Sequence, residues 1–137
     1  MIAKHTSEVE GVPVKTATFN QKNFDVKGVT IRWLSKVGQD ANGQPEYGLR
    51  HFTVEPGGEI PVHSHFYQQT MYIESGEFEC FGADPETGEI LESRLCKPGD
   101  WVYTGADEPH GMRNASTTES GTFLCCICNV YDAQDAM

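Results

Sequence analysis

The chain has 137 residues, 38% of them hydrophobic and 22% charged, which is enough for one globular domain with its own core. Twenty acidic against ten basic side chains give a net charge of −10. That sign repels phosphate backbones and anionic lipid, so neither a nucleic-acid nor a membrane partner is expected.

In chain order, Met1 to Asn23 is polar and weakly patterned, and residues 1–28 are expected to form an N-terminal arm or edge strand. Short strand-like runs then recur: Thr30–Leu34, Gly48–Glu55, Ile60–His65, Thr70–Glu74, Phe78–Gly82, Leu91–Cys96, Trp101–Thr104, Gly111–Asn114 and Thr122–Tyr131. Turn signals separate them, at Asp40-Ala-Asn-Gly43, Pro56-Gly-Gly58, Asp84-Pro-Glu-Thr-Gly88, Lys97-Pro-Gly-Asp100 and Asn114–Gly121. Many short strands with regular punctuation predict an all-β sandwich or barrel over residues 29–131, with 132–137 as a frayed tail. The acidic run Asp84–Glu92 reads as a solvated hairpin. No apolar stretch reaches the roughly 20 residues of a membrane span. The start Met1-Ile2-Ala3-Lys4-His5-Thr6 lacks the apolar run of an export signal, and a cytoplasmic location is expected.

Five cysteines, an odd count without an export signal, favour reduced thiols over a disulfide framework. Cys125-Cys126-x-Cys128 has the look of a metal motif. Its segment reads as a buried strand, however, where only alternate residues share a face, and core packing is the expected role.

The chemistry is carried by Gly57-Gly-Glu-Ile-Pro-Val-His63-Ser-His65-Phe-Tyr-Gln-Gln69-Thr-Met-Tyr-Ile-Glu-Ser-Gly76. Residues two apart on a strand point the same way, so His63 and His65 project from one face and can grip one ion. Gln69 keeps that parity across Phe66-Tyr67-Gln68 and is the expected fourth ligand. A third imidazole, His110, follows Pro109 and can enter from another strand. Three imidazoles and an amide suit one divalent transition metal: Mn, Fe, Ni or Zn, with Co and Cu also compatible.

These two segments resemble the paired motifs of the cupin superfamily, G-x5-H-x-H-x3-E-x6-G and G-x5-P-x-G-x2-H-x3-N. The first matches at Gly57, His63, His65 and Gly76, with Gln69 where the family usually has Glu. The second matches at Gly99, His110 and Asn114, with Gly105 for the proline and Asp107 for the second glycine. The resemblance implies a double-stranded β-helix, or jelly-roll, barrel with the metal inside, and commonly a homodimer. It implies little about the reaction, because many chemistries share this fold.

Glutamine for glutamate leaves a divalent ion with both positive charges, which favours an anionic ligand in a low-dielectric interior. An amide is also the weaker ligand and can swing out, opening positions for chemistry. Leu49-Arg50-x-Phe52, Gly111-Met-Arg-Asn114 and Phe123-Leu-Cys125 are similar to segments of small manganese-type cupins. That similarity implies Arg50, Phe52, Phe123, Cys125 and Ile127 as the cavity lining, with Arg50 the catalytic group that holds the anion. Tyr67, Met71 and Tyr72 fit either core or cavity.

Three functions compete. One is a dioxygenase-type enzyme on a small anionic substrate. A second is a metal-dependent isomerase or lyase of an acidic sugar. The H-x-H-x3-Q pattern is similar to that of cupins that linearise unsaturated uronates, although their acidic residue on the last strand has no counterpart between Thr122 and Tyr131. The third is a non-catalytic barrel that binds or senses a small ligand.

Overall fold

The computed structural model describes residues 1–38 and 45–128. The expected turn at Asp40–Gly43, the end of the last strand beyond Cys128 and the tail lie outside these residues. Apart from one 3-10 turn at Thr6–Glu8, the regular elements are strands. They are β1 (Val12–Pro13), β2 (Thr16–Phe19), β3 (Lys22–Asp25), β4 (Lys27–Val37), β5 (Tyr47–His63) and β6 (Gln68–Ser75). They continue with β7 (Phe78–Ala83), β8 (Ile90–Cys96), β9 (Trp101–Thr104), β10 (His110–Asn114) and β11 (Gly121–Cys128). Among the described residues no helix is long and apolar enough to cross a membrane.

One sheet wraps into a nearly closed barrel in the order β8-β7-β10-β5-β11-β6-β9, with β4 added to β5 and β1 to β4. Every pairing is antiparallel. The strand β5 holds it together. Its first half pairs with β4 and β11, from Tyr47↔Cys128 to Val54↔Gly121, and its second half pairs with β10.

The turn expected at Pro56-Gly57-Gly58 is instead a bend within β5. Gly57 takes φ +70°, a left-handed value that glycine adopts without strain. At Gly58 a Cβ would lie 2.9 Å from the Glu55 and Lys27 carbonyl oxygens, so only glycine lets the backbone fold this closely. A second irregularity follows. His110 lies opposite His63 and Met112 opposite Ile60, so β5 spends one residue more than β10 over this interval. The bulge falls at Pro61-Val62. Pro61 has no N–H to lose from the ladder there.

The core follows strand alternation. On β11 Phe123, Cys125 and Ile127 are buried and their neighbours are half-exposed. Phe123 stacks on Phe52 with centroids 4.7 Å apart and meets the fully buried Phe78 edge-to-face at 5.5 Å. At the far end Asn114 donates through Nδ2 to the Val54, Glu55 and Glu119 carbonyls and accepts from Ser116 N–H. This buried amide pins the β10–β11 connection to β5.

The N-terminal segment contributes more to the barrel than an arm would. β1 is a short edge strand, and β2 and β3 form a hairpin with left-handed Asn20 and Gln21 at its turn. That two-residue turn matches the twist of its strands. Ala17 and Phe19 are buried, and the Thr18 carbonyl accepts from Ser64 N–H, beside the metal motif.

Candidate metal centre

His63 ends β5, His65 lies in the link to β6, and His110 opens β10 directly opposite His63. One ring nitrogen from each falls within 4.8 Å of the others, and the ring centroids are 4.3 to 5.5 Å apart. The bulge at Pro61-Val62 makes this possible by turning His63 to the face that Ile60 occupies three residues earlier.

Backbone carbonyls fix the tautomers. Nδ1 of His63 donates to the Pro61 carbonyl at 2.9 Å, Nδ1 of His65 to Tyr67 at 2.8 Å, and Nδ1 of His110 to Glu108 at 2.7 Å. Each acceptor lies two residues away in sequence. With Nδ1 carrying the proton, each Nε2 presents a lone pair.

The lone pairs have little else to bind. His110 Nε2 is buried without a hydrogen-bond partner. His65 Nε2 faces Gln69 Oε1 at 3.1 Å, two acceptors in contact, and Arg50 Nη2 donates to the same oxygen at 3.4 Å. A cation among these atoms satisfies all of them, so the donor set fits a metal ion.

Electrostatics agree. Burial lowers His63 from 6.5 to about 4, helped by repulsion from His65 and Arg50. Burial, then repulsion from His63, takes His110 down to about 3, and burial lowers His65 as well. All three rings are neutral near pH 7, the form that ligates metals.

A pH effect on the metal-free chain follows. The unfolded chain binds protons at these histidines near pH 6.5, whereas the folded chain does so only near 4 and 3. Between those values the unfolded state holds more protons, so stability is full above pH 6.5 and falls as the pH drops. At pH 5 the loss is about 2 kcal/mol from each of His63 and His110. Urea unfolding of chelator-treated protein at pH 7 and pH 5 measures it, and equal stabilities would contradict neutral burial.

The cluster opens into a cavity of about 730 Å³. Arg50, Phe52, Phe123 and Cys125 border it as expected, together with Gln69. Ile127 does not: it is buried on the same face of β11 but packs toward Gly48 and Trp33. Met71 borders the cavity, whereas Tyr72 is exposed on the outer face.

Arg50 is 8% exposed and has no carboxylate partner among the described residues. Its Nη2 donates to Cys125 Sγ at 2.9 Å, its Nε is unpartnered, and its guanidinium lies between the Trp33 and Phe52 rings at 5.6 and 5.0 Å. Among the described residues this buried cation meets rings, a thiol, an amide and the Tyr67 phenol, and lacks a counter-ion.

Sequence reasoning left Tyr67 open between core and cavity, and passed over Trp33 and the N-terminal hairpin. Tyr67 stacks on His65 with centroids 3.9 Å apart, and burial raises its phenol so that it keeps its proton. Trp33 meets Arg50 only through the β4–β5 register. Thr16 to Thr18 join the cavity wall from the N-terminal hairpin. No local pattern marks any of these.

The comparisons agree with this geometry. A family model described as the cupin domain matches residues 50–127, more than half of the chain. No curated protein matches the sequence. A polyketide cyclase of Streptomyces resistomycificus superposes with a TM-score of 0.67 at 22% identity, over 98% of this chain and 89% of that one. A Thermotoga maritima protein described as a predicted oxalate decarboxylase gives 0.68 at 18% identity, over 94% and 100%. A cupin-2 domain protein of Rhodospirillum rubrum gives 0.65 at 19%, over 96% and 76%. At these identities the solved structures speak for the fold, and the family model, matching the strands that carry the three histidines, shows that the chain belongs to the cupin family.

Proposed function

We propose that this cupin is a metal-dependent enzyme of the dioxygenase type acting on an organic anion with a flat apolar body. The observation that carries the reading is Arg50, a buried guanidinium without a counter-ion that borders the same cavity as the three histidines. Four neutral ligands leave a divalent ion its full charge, so an anion meets two positive centres at once.

His63, His65, His110 and Gln69 would hold the ion, which would supply Lewis acidity and, for Fe or Mn, one-electron chemistry. The chain does the rest. Arg50 takes the carboxylate or enolate charge of the substrate. Phe52 and Phe123 offer a stacked apolar wall to its body and keep water from the reacting end. Tyr67 keeps its proton beside His65 and offers a hydrogen bond to substrate oxygen. The Thermotoga maritima neighbour carries a name that refers to oxalate, which supports an anionic substrate here. A two-carbon dianion would leave most of 730 Å³ empty, however, and a ring-bearing anion fills it better.

Tyr67 alone favours a second reading, Lewis-acid isomerisation or lysis without oxygen. Among the described residues the carboxylates bordering the cavity are Glu92 and Glu108, both exposed. Among these residues the centre has no buried carboxylate for proton transfer, and the oxygen-dependent reading is the better one.

The test is oxygen uptake by chain reconstituted with Fe(II), Mn(II) or Zn(II), across aryl carboxylates and enols. Uptake with Fe or Mn and not with Zn is expected. Turnover without uptake would establish the second reading, and binding without turnover would reduce the protein to a ligand-binding barrel.

A further inference from the structure

Both internal methionines and three of the five cysteines border the same cavity as the histidines: Met71, Met112, Cys80, Cys96 and Cys125. All five are at most 7% exposed. Cys125 is engaged with Arg50. The other two cysteines lie apart from the three-histidine cluster, on the wall made by β7 and β8, and the mechanism above uses neither.

Their placement follows from register. Cys96 lies opposite Phe78 and Cys80 opposite Arg94, so the two cysteines stand one diagonal step apart on adjacent strands, both facing inward. Burial, then the neighbouring Cys96, holds the Cys80 thiol in its protonated form in the metal-free chain. On its other side Cys80 lies directly opposite Met112 of β10. Three sulfur donors thus form a row across β8, β7 and β10. Each thiol's backbone partner is distant, the Phe78 carbonyl at 4.0 Å for Cys80 and the Arg94 carbonyl at 3.8 Å for Cys96. The carboxylates of Asp100 and Glu79 add a negative field at Cys80.

A direct disulfide does not suit this arrangement. Diagonal neighbours in an antiparallel sheet have Cα atoms about 7–8 Å apart, beyond the usual disulfide range of about 4.4–6.8 Å. An atom set between the two sulfurs spans the gap that a sulfur–sulfur bond would strain to close. Zinc would ask for four ligands in tetrahedral geometry, which two thiols and a thioether do not supply. Soft donors in low number select a soft cation of low coordination.

We propose that Cys80 and Cys96, with Met112 beside them, form a second metal site in the cavity wall that takes one Cu(I) ion. Copper enters and stays as Cu(I), so no electron is transferred. The two thiol protons leave through the cavity to water, and the ion is held between two thiolates with a net charge of minus one. That charge shares the cavity with Arg50 and with the cation of the histidine cluster, which offset it.

The test is an anaerobic titration of the full chain with Cu(I) against a chromogenic Cu(I) chelator. It compares wild type, Cys80→Ser/Cys96→Ser and His63→Ala/His65→Ala. The histidine variant should keep one tight equivalent, and the serine variant should lose roughly 100-fold or more in affinity. Equal affinity in the serine variant, or loss in the histidine variant, would overturn the site and assign copper to other ligands. Serine at two buried positions can impair folding, so wild type is also alkylated with and without Cu(I) and the modified cysteines mapped by mass spectrometry. Protection of Cys80 and Cys96 supports the site; protection of Cys126 and Cys128 in their place refutes it.

Discussion

Replacing His63 and His65 together by alanine is expected to take divalent-metal content from about one ion per chain to none detectable, with the barrel still folded. Two of the three imidazoles that converge within 4.8 Å are then missing, and His110 with Gln69 retains only a weak two-ligand site. Affinity should fall by at least about 10³-fold, since each lost ligand bond removes several kcal/mol from the ion's hold. The barrel survives because neither ring is part of the buried apolar core, which is built on Val54, Ile73, Phe78 and Phe123. Losing two rings that must stay neutral also makes the metal-free variant less acid-sensitive between pH 7 and pH 5 than metal-free wild type. Elemental analysis of protein purified without chelator, beside urea unfolding at the two pH values, checks both halves. An unchanged metal content would remove the three-histidine centre from consideration.

Replacing Arg50 by methionine should weaken binding of a simple aromatic anion, benzoate, by about 10- to 100-fold, the worth of a charge-assisted hydrogen bond in a desolvated site. Stability should change by no more than about 1 kcal/mol in either direction. Losing the stacking on Trp33 and Phe52 is offset by no longer burying a charge without a counter-ion. The Arg50→Lys variant should recover only part of the affinity. An ammonium keeps the charge but cannot stay fixed between two rings while donating to Cys125 and Gln69. Calorimetric titration with benzoate, in zinc-loaded and metal-free protein, separates the contribution of Arg50 from that of the ion. Unchanged affinity in the methionine variant would deny Arg50 its part in anion binding.

Much of this site was legible in the sequence, for an identifiable reason. The spacings His63-x-His65, His65-x3-Gln69 and His110-x3-Asn114 are short-range; short intervals on strands translate directly into shared faces, and His65, in the link after β5, stays near His63 because the link is short. The same holds for Arg50 with Phe52 and for Phe123 with Cys125. What remained hidden depends on register between distant strands. Trp33 reaches Arg50, and Cys80 comes to lie between Cys96 and Met112, only once β4, β7, β8 and β10 are aligned. Ile127 has the right parity but packs toward Gly48 and Trp33, a distinction that alternation cannot make. The turn at Asn20-Gln21 escaped notice because it lacks the usual glycine, and the hairpin it joins then supplies part of the cavity wall. The carbonyls of Pro61, Tyr67 and Glu108, which set the imidazole tautomers, are main-chain atoms that no residue pattern advertises.

The extra residue at Pro61-Val62 has a consequence for how this barrel can vary. Arg50 and His63 stand an odd number of residues apart on one strand, and on a regular strand such a pair faces opposite ways. The bulge restores the parity that lets both look into the cavity. Removing a single codon between them would therefore keep the anion-binding half or the metal-binding half facing inward, but not both. Changes of length should be tolerated in the hairpin turns and purged from this stretch. A graft that exchanges half of β5 with another barrel would transfer a working centre only if it carried the surplus residue along.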